Sequence, residues 1–437
     1  MPSHLFILTG TAGASRVLCS LSGKLMNRTL LVYLTFAGAL AAQPAYDLLL
    51  KGGHVVDPKS KISQVMDVAV ANGKIARLAR DIPASEAKKV ANVAGLYVTP
   101  GLIDIHVHVF VRNGAEGESH SVRPDAFSFR SGVTTMVDAG TCGWKDFPDF
   151  KRRIIEHANT RVLAMLNIVG AGMGTGREDD PAEMDAEAAA KTAKANPDII
   201  VGFKSAHYNG QGWESIDNAV KAGRLTDLPV MVDFGYINQT RNIRTLLADK
   251  LRPGDIYTHC FSGHRQELLE DGKVNPAMTT GRQRGIFFDV GHGAGSFYWY
   301  VAVPFFQQKF YPDSISTDLH TGSMNAGMKD MINVMSKILN LGSTLDEVIR
   351  MSTWNAANEI KRPQLGNLDV GAEADVAVLR VDKGQFGFVD SAGARDAGTQ
   401  SIVCELTLRK GKVAWDLNGR ASEDWKTFKY PKRAWVK

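Results

Sequence analysis

Short apolar runs alternate with helix-like segments through the middle of the chain. Eight of these runs read as strands, because each is brief, rich in apolar or β-branched residues and bounded by turn residues. They cover 97–109, 133–138, 161–169, 199–205, 228–234, 255–260, 285–290 and 313–318. Helical candidates fall between them, at 181–196, 213–223, 239–250 and 325–340. The pattern predicts an α/β fold with a (β/α)8 TIM-type barrel over 97–363.

The two segments that flank this body carry β-like patterns instead. Before the barrel, 46–96 alternates strand-like runs with turns, and the pair Asn72-Gly73 is a strong hairpin signal. After the barrel, 364–420 is again rich in strand-forming residues. We therefore expect a small β-sandwich domain built from 46–96 plus 364–420.

The first 45 residues differ from the rest of the chain. Residues 26–42 have a basic start, a short apolar core and small residues around Ala39 and Ala41, which is typical of a secretory signal peptide and too short for a spanning helix. We expect 1–45 to be a leader, Met26 to be the physiological start, and the mature protein to be periplasmic or secreted without a stable membrane span. A cytoplasmic location is the alternative.

The composition of the chain argues against some kinds of protein and adds no new candidate. The 437 residues carry a formal net charge of +5 without a Lys/Arg block, which does not support a nucleic-acid binding face. The four cysteines are far apart and form no C-x-x-C pair, so they indicate neither a disulfide framework nor a thiolate zinc site. A small molecule is the expected partner, and a homo-oligomer is compatible with the sequence.

Candidate chemistry begins at the first predicted barrel strand. It ends in His106 and His108, and alternate side chains of a strand point to the same face. Two converging imidazoles suit a divalent transition metal, most often zinc. Two hydrogen-bonded core histidines are the alternative, but further candidate ligands downstream favour the metal.

Lys204 lies near the end of the fourth predicted strand, within an apolar run. A buried lysine needs a partner or a chemical change, because an unpaired buried charge is costly. The alternative is a lysine whose charged end reaches the barrel mouth. Barrel active sites lie at the carboxyl ends of the strands, which is where this chain places its polar residues.

Several of these motifs together resemble a known family. The stretch from Thr99 to His108, the Lys204 strand, His259, Asp318 and the closing segment 366–378 are similar to the amidohydrolase superfamily, and the dihydroorotase-like amidohydrolase/deacetylase branch is the best match. The resemblance covers 46 to about 420 and implies a centre of two divalent ions, expected to be zinc. Its implied ligands are His106, His108 and Asp318 for the more buried ion, His259 for the second, and a carboxylated Lys204 that bridges both.

One position departs from the family pattern. The fifth strand normally offers a histidine to the second metal, whereas this chain has Asp233. A carboxylate can bind zinc, so Asp233 is either a ligand or a group behind the ligands of a centre that holds one ion tightly and one loosely. The sequence leaves both readings open.

The implied mechanism places Asp318 as the catalytic residue, which accepts a proton from the activated water and passes it to the leaving group. The second ion would polarise the scissile carbonyl. In the glycine-rich segment 291–297, His292 is a candidate for substrate binding. His207, His264 and His320 follow strand ends and are expected at the rim, as is the glycine-rich segment 170–176.

These residues predict a metal-dependent hydrolase that cleaves an amide or ester bond of a small acylated substrate in the manner of a deacetylase. A cyclic-amide hydrolase of the dihydroorotase or hydantoinase kind is the alternative. A third reading is a non-catalytic barrel with a degenerate metal centre, which only Asp233 favours. A nucleobase deaminase is disfavoured, because such relatives usually lack the bridging lysine.

Overall fold

The computed structural model describes residues 44–112 and 120–431. The predicted signal peptide over 26–42 lies outside the described residues and stays a prediction. Within the described part of the chain, no helix combines the length and the apolar character that crossing a membrane requires.

Fifteen strands and ten α-helices are found in the described residues. The strands are β1 (Leu48–Asp57), β2 (Ile62–Ala71), β3 (Lys74–Ala79), β4 (Val90–Asn92), β5 (Tyr97–Pro100), β6 (Leu102–Val107), β7 (Val133–Gly143), β8 (Arg161–Asn167), β9 (Ile200–Ser205), β10 (Val230–Val232), β11 (Ile256–Tyr257), β12 (Phe287–Phe288), β13 (Val376–Val389), β14 (Arg395–Arg409) and β15 (Lys412–Asp416). The helices are α1 (Phe147–Phe150), α2 (Ala186–Ala195), α3 (Glu214–Thr226), α4 (Ile243–Thr245), α5 (Pro276–Gln283), α6 (Trp299–Gln307), α7 (Thr321–Met324), α8 (Met331–Asn340), α9 (Leu345–Met351) and α10 (Trp354–Glu359). Single π-helical segments, Lys151–Ile155 and Leu246–Lys250, continue α1 and α4.

Strands β6 to β12 form a parallel sheet in the order of the chain. The eighth predicted strand, 313–318, is present as an irregular segment with isolated bridges at its two ends rather than as a regular strand. Its Ser314 pairs with Asp289, just past β12, and Leu319 pairs with Val107 of β6. This segment therefore connects the two edges of the sheet and closes it into the predicted barrel.

The remaining strands form one sheet from both ends of the chain, in the order β15-β14-β13-β5-β1-β2-β3, with β4 also paired to β1. The β domain expected from the two chain ends is thus present, although hydrogen bonds join all its strands into a single continuous sheet. Its own apolar core includes Leu50, Val68, Val98, Val376 and Leu406.

The predicted strand 97–109 is in fact two strands in two sheets. β5 pairs with β13 in the chain-end sheet, whereas β6 opens the barrel. The change of sheet occurs at Gly101, where a Cβ atom would lie only 2.2 Å from the Thr134 hydroxyl oxygen. This close approach requires glycine at position 101. The change of sheet there directs β6 into the barrel, so that the histidines at its end lie in the barrel.

Candidate metal centre

One cavity of about 160 Å³ lies at the carboxyl ends of the barrel strands. It is lined by His106, His108, Arg112, His120, Ser121, Thr141, Met173, Gly174, Lys204, His207, Asp233, His259, Asp318 and His320. All six residues predicted as metal ligands are among them. The structure therefore brings together side chains that lie up to 212 positions apart, from His106 to Asp318.

His106 and His108 at the end of β6 are buried, and the Nδ1 atom of each contacts a threonine hydroxyl. The Nδ1 atom of His106 lies 3.0 Å from the hydroxyl of Thr258, which itself donates to Asp289 at 2.7 Å. The Nδ1 atom of His108 lies 2.8 Å from the hydroxyl of Thr141. Burial, reinforced by the charge of Lys204, lowers the pKa of His106 to about 3. The neutral imidazole that results is the form that binds metal ions.

Lys204 reaches the centre of the cluster from β9. Its Nζ lies 3.0 Å from Nε2 of His106, and the side chain is buried. Burial lowers the pKa of Lys204 to about 8, although Asp233 and Asp318 oppose the shift. Strand β7, which is two strands away in the sheet, also approaches closely, since a Cβ at Gly140 would lie 2.7 Å from Cβ of Lys204. This packing holds the amine at the cavity floor.

Asp318 and His259 complete the cluster from two other segments. Oδ1 of Asp318 lies 2.9 Å from Nε2 of His108 and 3.6 Å from Nε2 of His106. Burial acts to raise the pKa of Asp318, but His106 and His108 hold it well below its usual value. The His259 ring donates from Nδ1 to the carbonyl of Gly291 at 2.6 Å, which leaves its Nε2 for the cavity.

These residues fit a divalent metal ion. Ligand atoms of His106, His259 and Asp318 lie within 4.8 Å of one another. Each of the three predicted histidine ligands has its Nδ1 engaged by a partner, which is how proteins orient imidazoles that bind metal through Nε2. Imidazole and carboxylate donors in this combination suit zinc and similar ions.

Asp233 follows β10 and contacts three basic groups. One of its oxygens accepts a hydrogen bond from the guanidinium of Arg265. The other lies 3.3 Å from Nε2 of His207 and 3.5 Å from Nε2 of His259. Burial alone would raise the pKa of Asp233, but the guanidinium of Arg265 and the contact with His259 hold it well below its usual value. The aspartate is an anion at the edge of the cluster.

Several supporting residues were missed by the sequence reasoning. Thr258 immediately precedes His259, and Asp289 is the penultimate residue of the seventh predicted strand. Both positions lie at the carboxyl end of a strand, which is where site residues are expected. Arg265 lies on a loop beyond the sixth strand, and no spacing rule connects it with Asp233. Such partners depend on the tertiary structure, which the local pattern does not encode.

His292 requires a correction. Its side chain is fully buried and does not line the cavity. The ring stacks on Phe297 with centroids 4.6 Å apart, and its Nε2 accepts a hydrogen bond from Lys337 at 2.6 Å. Its glycine neighbours instead make room for the cluster, because a Cβ at Gly293 would lie 2.4 Å from Oδ2 of Asp318. The predicted substrate contact therefore does not apply to this side chain in the structure.

The predicted rim residues divide into two groups. His207, His320, Met173 and Gly174 line the cavity. His264 does not line it, and its Nε2 instead lies 2.8 Å from the carbonyl of Gly295.

Comparison with known proteins supports these observations. A sequence profile described as "Amidohydrolase family" matches residues 308–409. The chain is 30% identical over 331 residues to a protein of Brucella anthropi named a deacetylase, which is 74% of this chain and 81% of that protein. It is 28% identical over 377 residues to a protein of Enterococcus faecalis also named a deacetylase, covering 84% of this chain and 99% of that one.

Solved structures give the same answer for the fold. A structure described as an adenine deaminase matches 85% of this chain and all of its own, with a TM-score of 0.77 and 28% identity. A structure described as a dihydroorotase matches 84% of this chain and 98% of its own, with a TM-score of 0.72 and 27% identity. The likeness thus extends over both the barrel and the chain-end sheet.

Proposed function

This chain belongs to the amidohydrolase family, whose members are metal-dependent hydrolases, and on that premise we propose that it removes an acyl group from a small amide or ester as a deacetylase. The observation that carries the proposal is the convergence of His106, His108, Lys204, His259 and Asp318 on one cavity. The likeness to proteins named deacetylases, which covers 74% and 84% of the chain, supports the choice of reaction.

A divalent metal centre, expected to be zinc, would be held by His106, His108, His259, Asp318 and Lys204. Bound metal supplies Lewis acidity, which polarises a carbonyl and favours the ionisation of water near neutral pH. Lys204 would take part as a carbamate, in which its amine nitrogen forms a bond to the carbon of CO₂ and releases a proton. A pKa of about 8 supports this step, since an appreciable fraction of the amine is uncharged near neutral pH.

The chain's own acid–base group in this proposal is Asp318. His106 and His108 keep its carboxylate ionised, so it can accept the proton of an attacking water and return it to the leaving nitrogen or oxygen. Its position against His108, at 2.9 Å, fixes the direction of the carboxylate. The cavity of about 160 Å³ suits a small acylated compound.

Hydrolysis of a cyclic amide is the second candidate. It is favoured by the likeness to the solved dihydroorotase, at a TM-score of 0.72. Matches to proteins named dihydroorotases are more local, for example 44% identity over 140 residues, or 32% of this chain, with a protein of Citrifermentans bemidjiense. The longer matches to the deacetylases place the acyl substrate first.

A substrate panel tests the proposal. Zinc-loaded protein would be assayed with N-acetyl amino acids, O-acetyl hydroxy acids and cyclic ureides, with acetate release and ring opening measured separately. We expect acetate release that stops on chelation, and a kcat lowered by roughly 10²–10⁴-fold in Asp318→Asn. Metal content is measured alongside, to separate loss of proton transfer from loss of a ligand.

The control variant is Asp346→Asn, an exposed carboxylate in the first turn of α9. It should hydrolyse the same substrates at the wild-type rate. Ring opening without acetate release would replace the deacetylase proposal with the cyclic-amide reading. Equal rates in Asp318→Asn and in the control would refute the role given to Asp318.

A further inference from the structure

We propose that His207 is a ligand of a second metal ion, and that His207 and Asp233 together replace the histidine that the fifth strand of this chain lacks. The proposal rests on the metal-dependent function above and specifies how its centre is built. His207 lies three residues after Lys204, on the segment that follows β9, and it lines the cavity.

The distances around Asp233 are those of ligands that share an ion. Its Oδ2 atom lies 3.3 Å from Nε2 of His207 and 3.5 Å from Nε2 of His259. Two atoms bound tetrahedrally to zinc, each at about 2.0–2.1 Å, lie roughly 3.3–3.4 Å apart. Oδ2 of Asp233 is therefore spaced to share an ion with either imidazole at the edge of the first cluster.

Each of the three side chains is also held by a partner on its far side. Nδ1 of His207 faces a carboxylate oxygen of Glu178 at 3.2 Å, and Nδ1 of His259 donates to the carbonyl of Gly291 at 2.6 Å. The second oxygen of Asp233 is occupied by Arg265. A carboxylate behind a histidine, with the other ring nitrogen left open, is the usual arrangement around metal-binding imidazoles.

The backbone of His207 adds an independent indication. Its φ of +55° lies in the left-handed region, which is uncommon for residues other than glycine. The conformation is supported by Asn209, whose side-chain amide donates to the carbonyl of His207 at 2.9 Å. The side chain is 54% exposed, and the imidazole faces the cavity rather than packing into the barrel wall.

The competing interpretation is an imidazolium that merely pairs with Glu178 and Asp233. Charge-assisted N–H···O bonds are typically about 2.7–2.9 Å long. Both contacts of His207 exceed that range, at 3.2 and 3.3 Å. Asp233 also has a cationic partner already, since Arg265 is buried against it. The geometry points to a ligand rather than to a counter-ion.

Metal titration of the full chain tests the assignment without any substrate. Metal-depleted protein would be titrated with Zn²⁺ against a chromogenic chelator, and with Co²⁺ while its visible absorption is followed. We expect two equivalents for the wild type. In His207→Ala the first equivalent should bind as before, whereas the affinity of the second should fall at least tenfold and its cobalt absorption should change.

Two further variants make the result specific. His207→Lys keeps a cation beside Glu178 and Asp233 but should lose the second equivalent as His207→Ala does. His264→Ala, which removes a histidine directed at Gly295 instead of the cavity, should bind both equivalents with wild-type affinity. Thermal unfolding of the metal-free proteins establishes that each variant is folded.

The proposal would be overturned if a second equivalent of Zn²⁺ bound His207→Ala with unchanged affinity. It would also be overturned if His207→Lys kept the second equivalent while His207→Ala lost it. A wild-type protein that binds one equivalent would overturn it as well. Because the readout is the metal itself, a protein that binds two equivalents but hydrolyses no acylated substrate would contradict the proposed function and leave this assignment intact.

Discussion

At the scale of single residues, burial and hydrogen bonding determine which groups are ready to bind a metal ion. The spacing of His106 and His108 identified the first two candidate ligands, because alternation along a strand is a local property. The orientation of their rings depends on Thr258 and Thr141, which approach from other strands. Sequence reasoning therefore found the candidate ligands but not the groups that aim them.

His292 illustrates the opposite outcome. Its position after the seventh predicted strand suggested a substrate contact, yet the ring points behind the cavity to Lys337 of α8. Nζ of Lys337 also lies 2.7 Å from the carbonyl oxygen of Gly327 and 2.7 Å from that of Val389. The residue that accounts for His292 lies 45 positions away, so no local pattern could reveal it.

The burial of Lys337 predicts how the stability of the protein depends on pH. Burial lowers the pKa of Lys337 from 10.5 to about 7. Between these values the unfolded chain binds the proton and the folded chain does not, so stability rises with pH through this window and is lost as pH falls toward 7. The free energy of unfolding of the wild type, relative to Lys337→Met, should increase by about 2 kcal/mol from pH 7 to pH 9.

Urea unfolding of both proteins at several pH values measures this difference. The two proteins share every other titrating group, so the difference isolates Lys337. If the difference in free energy of unfolding between the two proteins stays constant from pH 7 to pH 9, Lys337 keeps an ordinary pKa. Its amine would then reach solvent in the folded protein.

At the scale of elements, the apolar pattern predicted where the strands lie along the chain. It predicted less well which sheet each strand belongs to. The pattern 97–109 is continuous in sequence, but the crowding at Gly101 divides it between two sheets. The eighth predicted strand is reduced to one bridge at Ser314 and another at Leu319, the residue that follows it. Which partner a strand meets is a tertiary property, whereas its apolar pattern is local.

An ion cluster joins the chain-end sheet to the barrel. Arg161, at the start of β8, contacts Glu373 at 2.6 Å and Asp375 at 2.8 Å. The same two carboxylates are bound from β14 by Arg409, at 2.7 and 3.0 Å. The side chains of Arg161 and Asp375 are only 16% and 11% exposed, so removal of one cation leaves poorly solvated negative charge.

Arg161→Met should therefore lower the free energy of unfolding by about 2–4 kcal/mol. Arg152→Met is the matched control, because Arg152 is 71% exposed and pairs with Asp149 within one helical turn. The control should change stability by no more than about 0.5 kcal/mol. Equal effects of the two substitutions in denaturant unfolding would show that the cluster does not stabilise the junction.

At the scale of the whole molecule, the barrel is what makes the chemistry available. Parallel strands present their carboxyl ends at one rim, so residues from β6 and β9 and from the segments after the later strands meet there. This rule placed the polar residues at the strand ends, and the family resemblance supplied the set of metal ligands among them. It could not predict His207, because its role depends on a left-handed residue and on the replacement of one histidine by Asp233.

The proposed centre depends on side chains from separate strands that hold metal ions at one point. An anomalous-scattering map recorded at the zinc edge, from crystals of zinc-loaded protein, tests it most directly. We expect a strong peak among His106, His108, Lys204 and Asp318, and a second beside His259, Asp233 and His207. A map without an anomalous peak among these side chains, from protein prepared with ample zinc and CO₂, would contradict it.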